Sequence, residues 1–331
     1  MSQPTNHILP PGHLLQGGKY RIVSLIAQGG FGITYEAIQT GLNARVALKE
    51  FYIKDLCLRD INDGPDVMIK STDRKAIFDG FRQKFLKEAR TIASLSHHNI
   101  VKVNDVFEQN GTAYYTMEYI EGETLKDHVA ANGPLEESRA IELIAEAGEA
   151  LSHIHSRNIL HLDIKPDNIM LRNGTTPVII DFGVSKRYDK DGNQTSMMQI
   201  ARSRGYAPIE QYKPEAMASF SPATDVYSLA ATLYFALSGD KPLEPSQIFE
   251  HGLPLILDIS GETMEAIIKG MAVKRENRPQ SVDEFIDLLE GRGTSENPAP
   301  ANGSKLTESL VNILLVISIA VATFMLFIYL F

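Results

Sequence analysis

The chain has a single cysteine, Cys57, among 331 residues. An intrachain disulfide is therefore impossible, and nothing suggests a zinc site. The lone thiol is expected as a small buried or part-buried group. A basic excess is missing as well. Lys and Arg number 32 against 41 Asp and Glu, for a formal net charge of −9. Nucleic acid is thereby excluded as a main partner, because its electrostatic footprint is not there. Residues 1–18 carry prolines and glycines but no apolar core, so they read as a flexible lead-in and not as a secretory signal. No internal repeat is found. What remains is 44% hydrophobic and 22% charged, the balance of an ordinary globular protein with room for one large or two modest domains.

Charge is absent altogether from one stretch, Leu310 to Phe331. About 22 helical residues span roughly 33 Å, enough to cross a bilayer core. A transmembrane helix is expected over 309–331. Before it, 291–308 is rich in Gly, Ser, Asn, Pro and Ala and reads as a flexible linker.

Two phrases carry the chemistry. His161-Leu162-Asp163-Ile164-Lys165-Pro166-Asp167-Asn168 sets an acid, a lysine and an asparagine at fixed spacing, and Asp181-Phe182-Gly183 adds a carboxylate a short hairpin later. Phosphoryl transfer from ATP needs these groups: a base near the acceptor hydroxyl, positive charge on the γ-phosphate, and oxygen ligands for magnesium. Upstream, Gly29-Gly30-Phe31-Gly32 lies between two apolar, β-rich runs, and Val46-Ala47-Leu48-Lys49 follows. Glycines there let a backbone approach phosphates closely and donate N–H groups to them. Strands are expected over 20–27, 33–37, 44–50, 101–107 and 113–119. Asn110-Gly111 marks a tight hairpin between the last two, because both central residues of such a turn need φ > 0. A helical stripe runs from Phe81 to Leu95. Beyond Leu125 the pattern turns helical, with a long stripe from Ile141 to Ile154. Further helices are expected over 224–237 (opened by Pro222, closed by Gly239), 262–271 and 282–289.

With these motifs in this order, the chain resembles the eukaryotic-type protein kinase family, and its bacterial serine/threonine members in particular, from about Tyr20 to about Leu289. The resemblance implies an α+β, bilobal fold. A small β-rich N-lobe with one main helix would occupy 19–121 and a larger helical C-lobe 122–290, with ATP in the cleft. It implies roles as well. Asp163 would be the catalytic base and Lys165 would stabilise the transferring phosphoryl group, the latter also marking serine/threonine specificity. Asn168 and Asp181 would bind Mg2+ or Mn2+. Ala27, Gln28, Gly29, Gly30, Phe31, Gly32 and Thr34 would form the nucleotide's glycine-rich cover, with Ala27 in the place of a usual glycine and Thr34 of a usual valine. Lys49 would hold the phosphates, with Glu88 as its partner. Met117 would stand at the back of the pocket, the linker with Glu118 and Ile120 would read the adenine, and Ala47 and Met170 would sandwich it.

Other segments follow the same resemblance. Gly205 to Gln211 is similar to the end of an activation segment, with Glu210 tied to Arg278 and Asp225 bracing the catalytic loop. Leu162 replaces the arginine that usually pairs with a phosphorylated segment. Thr195, Ser196 and Ser203 are candidate phosphorylation sites. The interval between Lys49 and Glu88 is longer than the family needs, so 51–80 is read as an inserted hairpin or ordered loop, either decoration or a regulatory element. The leading expectation is a single-pass membrane serine/threonine kinase that acts on protein substrates, with its catalytic domain on the cytoplasmic side. Autophosphorylation is expected with it, and Asn312 and Ser318 could pair helices into a homodimer. A pseudokinase-like membrane scaffold and a small-molecule kinase are the competing readings. Intact Lys49, Asp163, Asn168 and Asp181 weigh against the first, and the Glu210–Arg278 platform against the second.

Overall fold

The computed structural model describes residues 7–30, 32–182, 186–187, 203–212 and 220–292. The N-terminal half is built on one antiparallel sheet. Its strands are β1 (Leu14–Leu15), β2 (Tyr20–Gln28), β3 (Gly32–Gln39) and β4 (Ala44–Phe51). A separate two-strand hairpin, β5 (Cys57–Leu58) and β6 (Met68–Ile69), precedes helix α1 (Lys75–Ala93), and β7 (Val103–Gln109) and β8 (Thr112–Glu118) complete the sheet. The sheet order is β1-β2-β3-β4-β8-β7. At the β7–β8 turn, Asn110 and Gly111 have φ of 52° and 68°, as their sequence requires.

Strand alternation decides what faces the cleft. On β4, Lys49 pairs with Tyr115 and Glu50 with Tyr114, so the two neighbours point to opposite faces. Helix α1 covers the Lys49 face, where Phe85 packs 5.0 Å from the Tyr115 ring. The opposite face is covered too. Glu50 and Arg59 are fully buried there and form an ion pair, with Tyr35 and Tyr114 hydroxyls donating to Glu50 at 3.0 and 2.7 Å.

Three expectations change here. Residues 7–18 are not a free lead-in: Leu9 and Leu15 are buried and β1 pairs with β2. Helix α1 begins at Lys75, ahead of the expected Phe81, and buries Phe78 as well as Phe85, Ala89 and Ile92. Gly80 lies within the helix in open space. The insertion therefore spans only the stretch between β4 and α1, and it is a hairpin tied to the sheet: Val67 N–H donates to the Asn110 carbonyl at 2.8 Å.

The C-terminal half opens with β9 (Gly122–Thr124), α2 (Leu125–Asn132) and α3 (Glu137–His155). Short strands β10 (Ile159–Leu160), β11 (Ile169–Arg172), β12 (Thr176–Ile179) and β13 (Lys186–Arg187) follow. Helices α4 (Pro222–Ser238), α5 (Pro245–His251), α6 (Gly261–Gly270) and α7 (Val282–Leu289) complete it. Helix α4 is buried from Ala223 to Leu237, with Ser221 N–H donating to Thr224 Oγ1 at 3.2 Å at its start and left-handed Gly239 at its end. Among the described residues no helix is long and apolar enough to cross a membrane. The expected span 309–331 lies outside the described residues, as does the linker from 293 onward.

Candidate active site

The two halves enclose a cleft of about 650 Å³. Of the residues expected there, Ala27, Gln28, Gly29, Gly30, Gly32, Thr34, Lys49, Met117, Asp163, Lys165, Asn168, Met170 and Asp181 line it. Phe31 and Gly183 lie outside the described residues, as do Thr195 and Ser196. Ala47 and Ile120 are buried in the core beside the cleft. Glu118 turns its carboxylate away, accepting from Lys102 N–H at 3.0 Å and Arg172 Nη2 at 2.9 Å. The glycines divide by role. Gly29 and Gly30 have open space where a side chain would go, as a phosphate cover needs. At Gly32 a Cβ would meet the Glu50 carbonyl at 2.7 Å, so this glycine serves the β3–β4 packing.

Asp163 is the centre of the floor. Its Oδ2 accepts from Lys165 Nζ at 2.8 Å and Asn168 Nδ2 at 2.9 Å, and its Oδ1 from Ser203 Oγ at 2.6 Å. Lys165 Nζ also donates to Ser203 Oγ at 3.0 Å. Ser203 was expected only as a loop hydroxyl open to phosphorylation. It is part of the constellation, and no sequence spacing linked it to a residue forty positions away. Asn168 also donates to the Asp163 carbonyl at 2.8 Å. With its nitrogen so engaged, its Oδ1 is left as a hard oxygen donor.

Asp225 braces this loop from α4, as the resemblance implied. It accepts from the backbone N–H of His161 at 2.9 Å and of Leu162 at 2.7 Å, and pairs with His155 Nε2 at 2.7 Å. Burial alone would raise the Asp225 carboxyl. The His155 hydrogen bond and the surrounding donors hold it below the usual carboxylate range instead. Leu162 is buried with φ of 65°, and Gln211 donates to its carbonyl at 2.8 Å. A leucine in this region is strained, and the strain is held by two hydrogen bonds, one on its N–H and one on its carbonyl. His161 is buried, and burial lowers its imidazole pKa against the pull of the Asp225 and Asp163 carboxylates.

Lys49 departs from the expected pairing. Its Nζ lies 2.8 Å from Asp181 Oδ1, and the structure holds no hydrogen bond or close ion pair between it and Glu88. Burial pulls the Lys49 pKa down, but the Asp181 carboxylate more than offsets this and keeps the ammonium charged. Glu88 Oε1 is buried without a partner. Burial pushes its carboxyl up to about 7, against the pull of Lys49. Helix α1 thus brings Glu88 near the lysine without closing the pair.

Within the C-terminal half Arg278 forks onto Glu210, Nη1 to Oε1 at 2.7 Å and Nη2 to Oε2 at 3.0 Å, both side chains buried. Thr224 Oγ1 also donates to Glu210 at 3.1 Å. Sequence reading missed Thr124, Asp127 and Asp167 on the cleft wall. Thr124 accepts from Asp127 N–H and caps α2. A hydroxyl followed by an acid reads as a helix start, and that signal masked its place in the cleft.

Comparison with known proteins agrees with this geometry. The protein kinase domain family matches residues 20–292. A probable serine/threonine-protein kinase PknB of Lactococcus lactis is 30% identical over 81% of this chain and 41% of its own length. The serine/threonine-protein kinase PknA of Mycobacterium tuberculosis is 33% identical over 68% of this chain and 48% of its own. This chain therefore spans less than half the length of these curated relatives. The solved structure "PpkA-294 apo form" superposes with a TM-score of 0.74 at 30% identity, covering 86% of this chain and all of that one.

Proposed function

The chain belongs to the protein kinase domain family, in its bacterial serine/threonine branch, and on that premise we propose that it transfers the γ-phosphate of ATP to protein serine and threonine hydroxyls while anchored in a membrane. One observation carries the chemical part: Asp163, Lys165, Asn168 and Ser203 share one hydrogen-bonded cluster in the same cleft as Lys49 and Asp181. In this reading Asp163 orients the acceptor hydroxyl and takes its proton. Lys165, already at 2.8 Å from that carboxylate, offsets charge on the transferring group. Asn168 Oδ1 and the Asp181 carboxylate are hard oxygens that fit Mg2+ or Mn2+, and they would hold such an ion against the nucleotide phosphates. The bound ion would neutralise phosphate charge. Lys49 would then serve the phosphates. Met117, Met170 and the apolar wall would take the base.

The buried Glu210–Arg278 fork supports a protein acceptor, since it fixes the segment end on which a polypeptide would lie. The uncharged run 309–331 supports anchoring, with autophosphorylation between kinase domains concentrated in the membrane plane. The test is transfer from radiolabelled ATP to a generic protein substrate, followed by phosphoamino-acid analysis. Phosphoserine and phosphothreonine are expected. Asp163→Asn should lower the rate ~10²–10⁴-fold while nucleotide still binds. A rate within tenfold of the parent would remove Asp163 from the role.

A further inference from the structure

Gly29 and Gly30, at the tip of the turn over the cleft, stand in open space, so packing does not fix the height of the tip; Gly32 at its base packs against the Glu50 carbonyl. Gly29 N–H donates to the Gly32 carbonyl at 2.9 Å and closes the turn. Among the described residues of the turn, Gln28 reaches out of it by its side chain. Its Nε2 donates to His7 Nε2 at 2.7 Å, which requires that this ring nitrogen carry no proton. His7 belongs to the segment leading into β1, and it is held on two further sides. Its ring stacks on Tyr52, with centroids 5.3 Å apart and planes 17° from parallel. Its carbonyl accepts from Arg59 Nε at 2.8 Å and from the same guanidinium's Nη2. Arg59 is itself immobilised, fully buried and forked onto Glu50. Tyr52 and Arg59 both come from the insertion between β4 and α1.

We propose that His7 is a positioning residue for nucleotide binding, and that it couples the insertion to the glycine turn. The insertion clamps His7, His7 clamps Gln28, and Gln28 sets the turn over the cleft. His7 touches no reacting atom; it acts through Gln28. This gives the insertion a regulatory role, because any partner that displaces residues 7–9 or the β5–β6 hairpin loosens the nucleotide's cover. The proposal rests on the reading that this cleft takes ATP phosphates beneath that turn.

The test is steady-state kinetics of the full chain with varied ATP and a fixed protein substrate. His7→Ala and Gln28→Ala should each raise KM for ATP about fivefold, the change one ordinary hydrogen bond is worth, with kcat altered less than about twofold. The double variant should be no worse than either single one, because both remove the same contact. His7→Gln, which restores an acceptor, should recover most of the lost affinity. Arg59→Lys keeps charge beside Glu50 but cannot also reach the His7 carbonyl, and should raise KM as His7→Ala does. An unchanged KM in His7→Ala with a lowered melting temperature would show a purely structural role and overturn the proposal. So would KM effects that multiply in the double variant. A parent chain with no transfer activity would overturn the reading beneath it instead.

Discussion

Asp163 accepts from three side chains at once, and each of them can be removed singly. Ser203→Ala takes away a hydrogen bond to a charged group, so kcat should fall roughly ten- to a hundredfold. Ser203→Thr should retain most of the rate. Equal losses in the two variants, measured by initial rates, would show that the segment and not the hydroxyl matters. Glu88 gives a pH signature. Its ordinary pKa is 4.5, and burial raises it to about 7. Between those values the folded state keeps a proton that the unfolded chain has released. Stability therefore falls as pH rises through this window, and the loss persists above it. Glu88→Gln should flatten that fall in melting temperature between pH 5 and 8; a parent-like slope in the variant would assign it elsewhere. Sequence alone placed Asp163, Lys165 and Asn168, because they are close along one loop. It could not place Ser203 or the Lys49–Asp181 contact, which depend on where distant segments come to rest.

Elements were legible where the signal is local. The Asn110-Gly111 hairpin, the stripe of α3 and the cap and stop of α4 are written in neighbouring residues. The start of α1 and the fate of residues 7–18 were not, because the apolar stripe shows only from Phe81 and the early prolines and glycines argue locally for a free segment. Tertiary burial of Leu9, Leu15 and Phe78 overrides them. The Glu210–Arg278 fork shows what such distant contacts are worth. Arg278→Ala leaves the Glu210 carboxylate buried and unpaired, and should lower unfolding free energy by roughly 3–5 kcal/mol. Denaturant titration reads this directly. A loss under about 1 kcal/mol would mean that water reaches Glu210 easily.

At the scale of the molecule, the kinase domain and the apolar tail should be separable. Deleting 309–331 is expected to release the protein from the membrane fraction with its catalytic rate intact. Retention on membranes after a carbonate wash would show that the anchor lies elsewhere. Within the domain, helix α4 does more than fill the C-terminal half. From its first two turns Asp225 holds the catalytic loop, Thr224 meets Glu210, Ser228 donates to the Tyr206 carbonyl at 2.9 Å, and the Ala223 carbonyl accepts from Arg278 at 3.1 Å. One buried helix is thus the common datum from which the Asp163 loop, the Glu210 segment and Arg278 are all measured. When a datum drifts, everything referred to it drifts alike. A displacement of one lobe against the other would therefore leave the spacings among these groups unchanged.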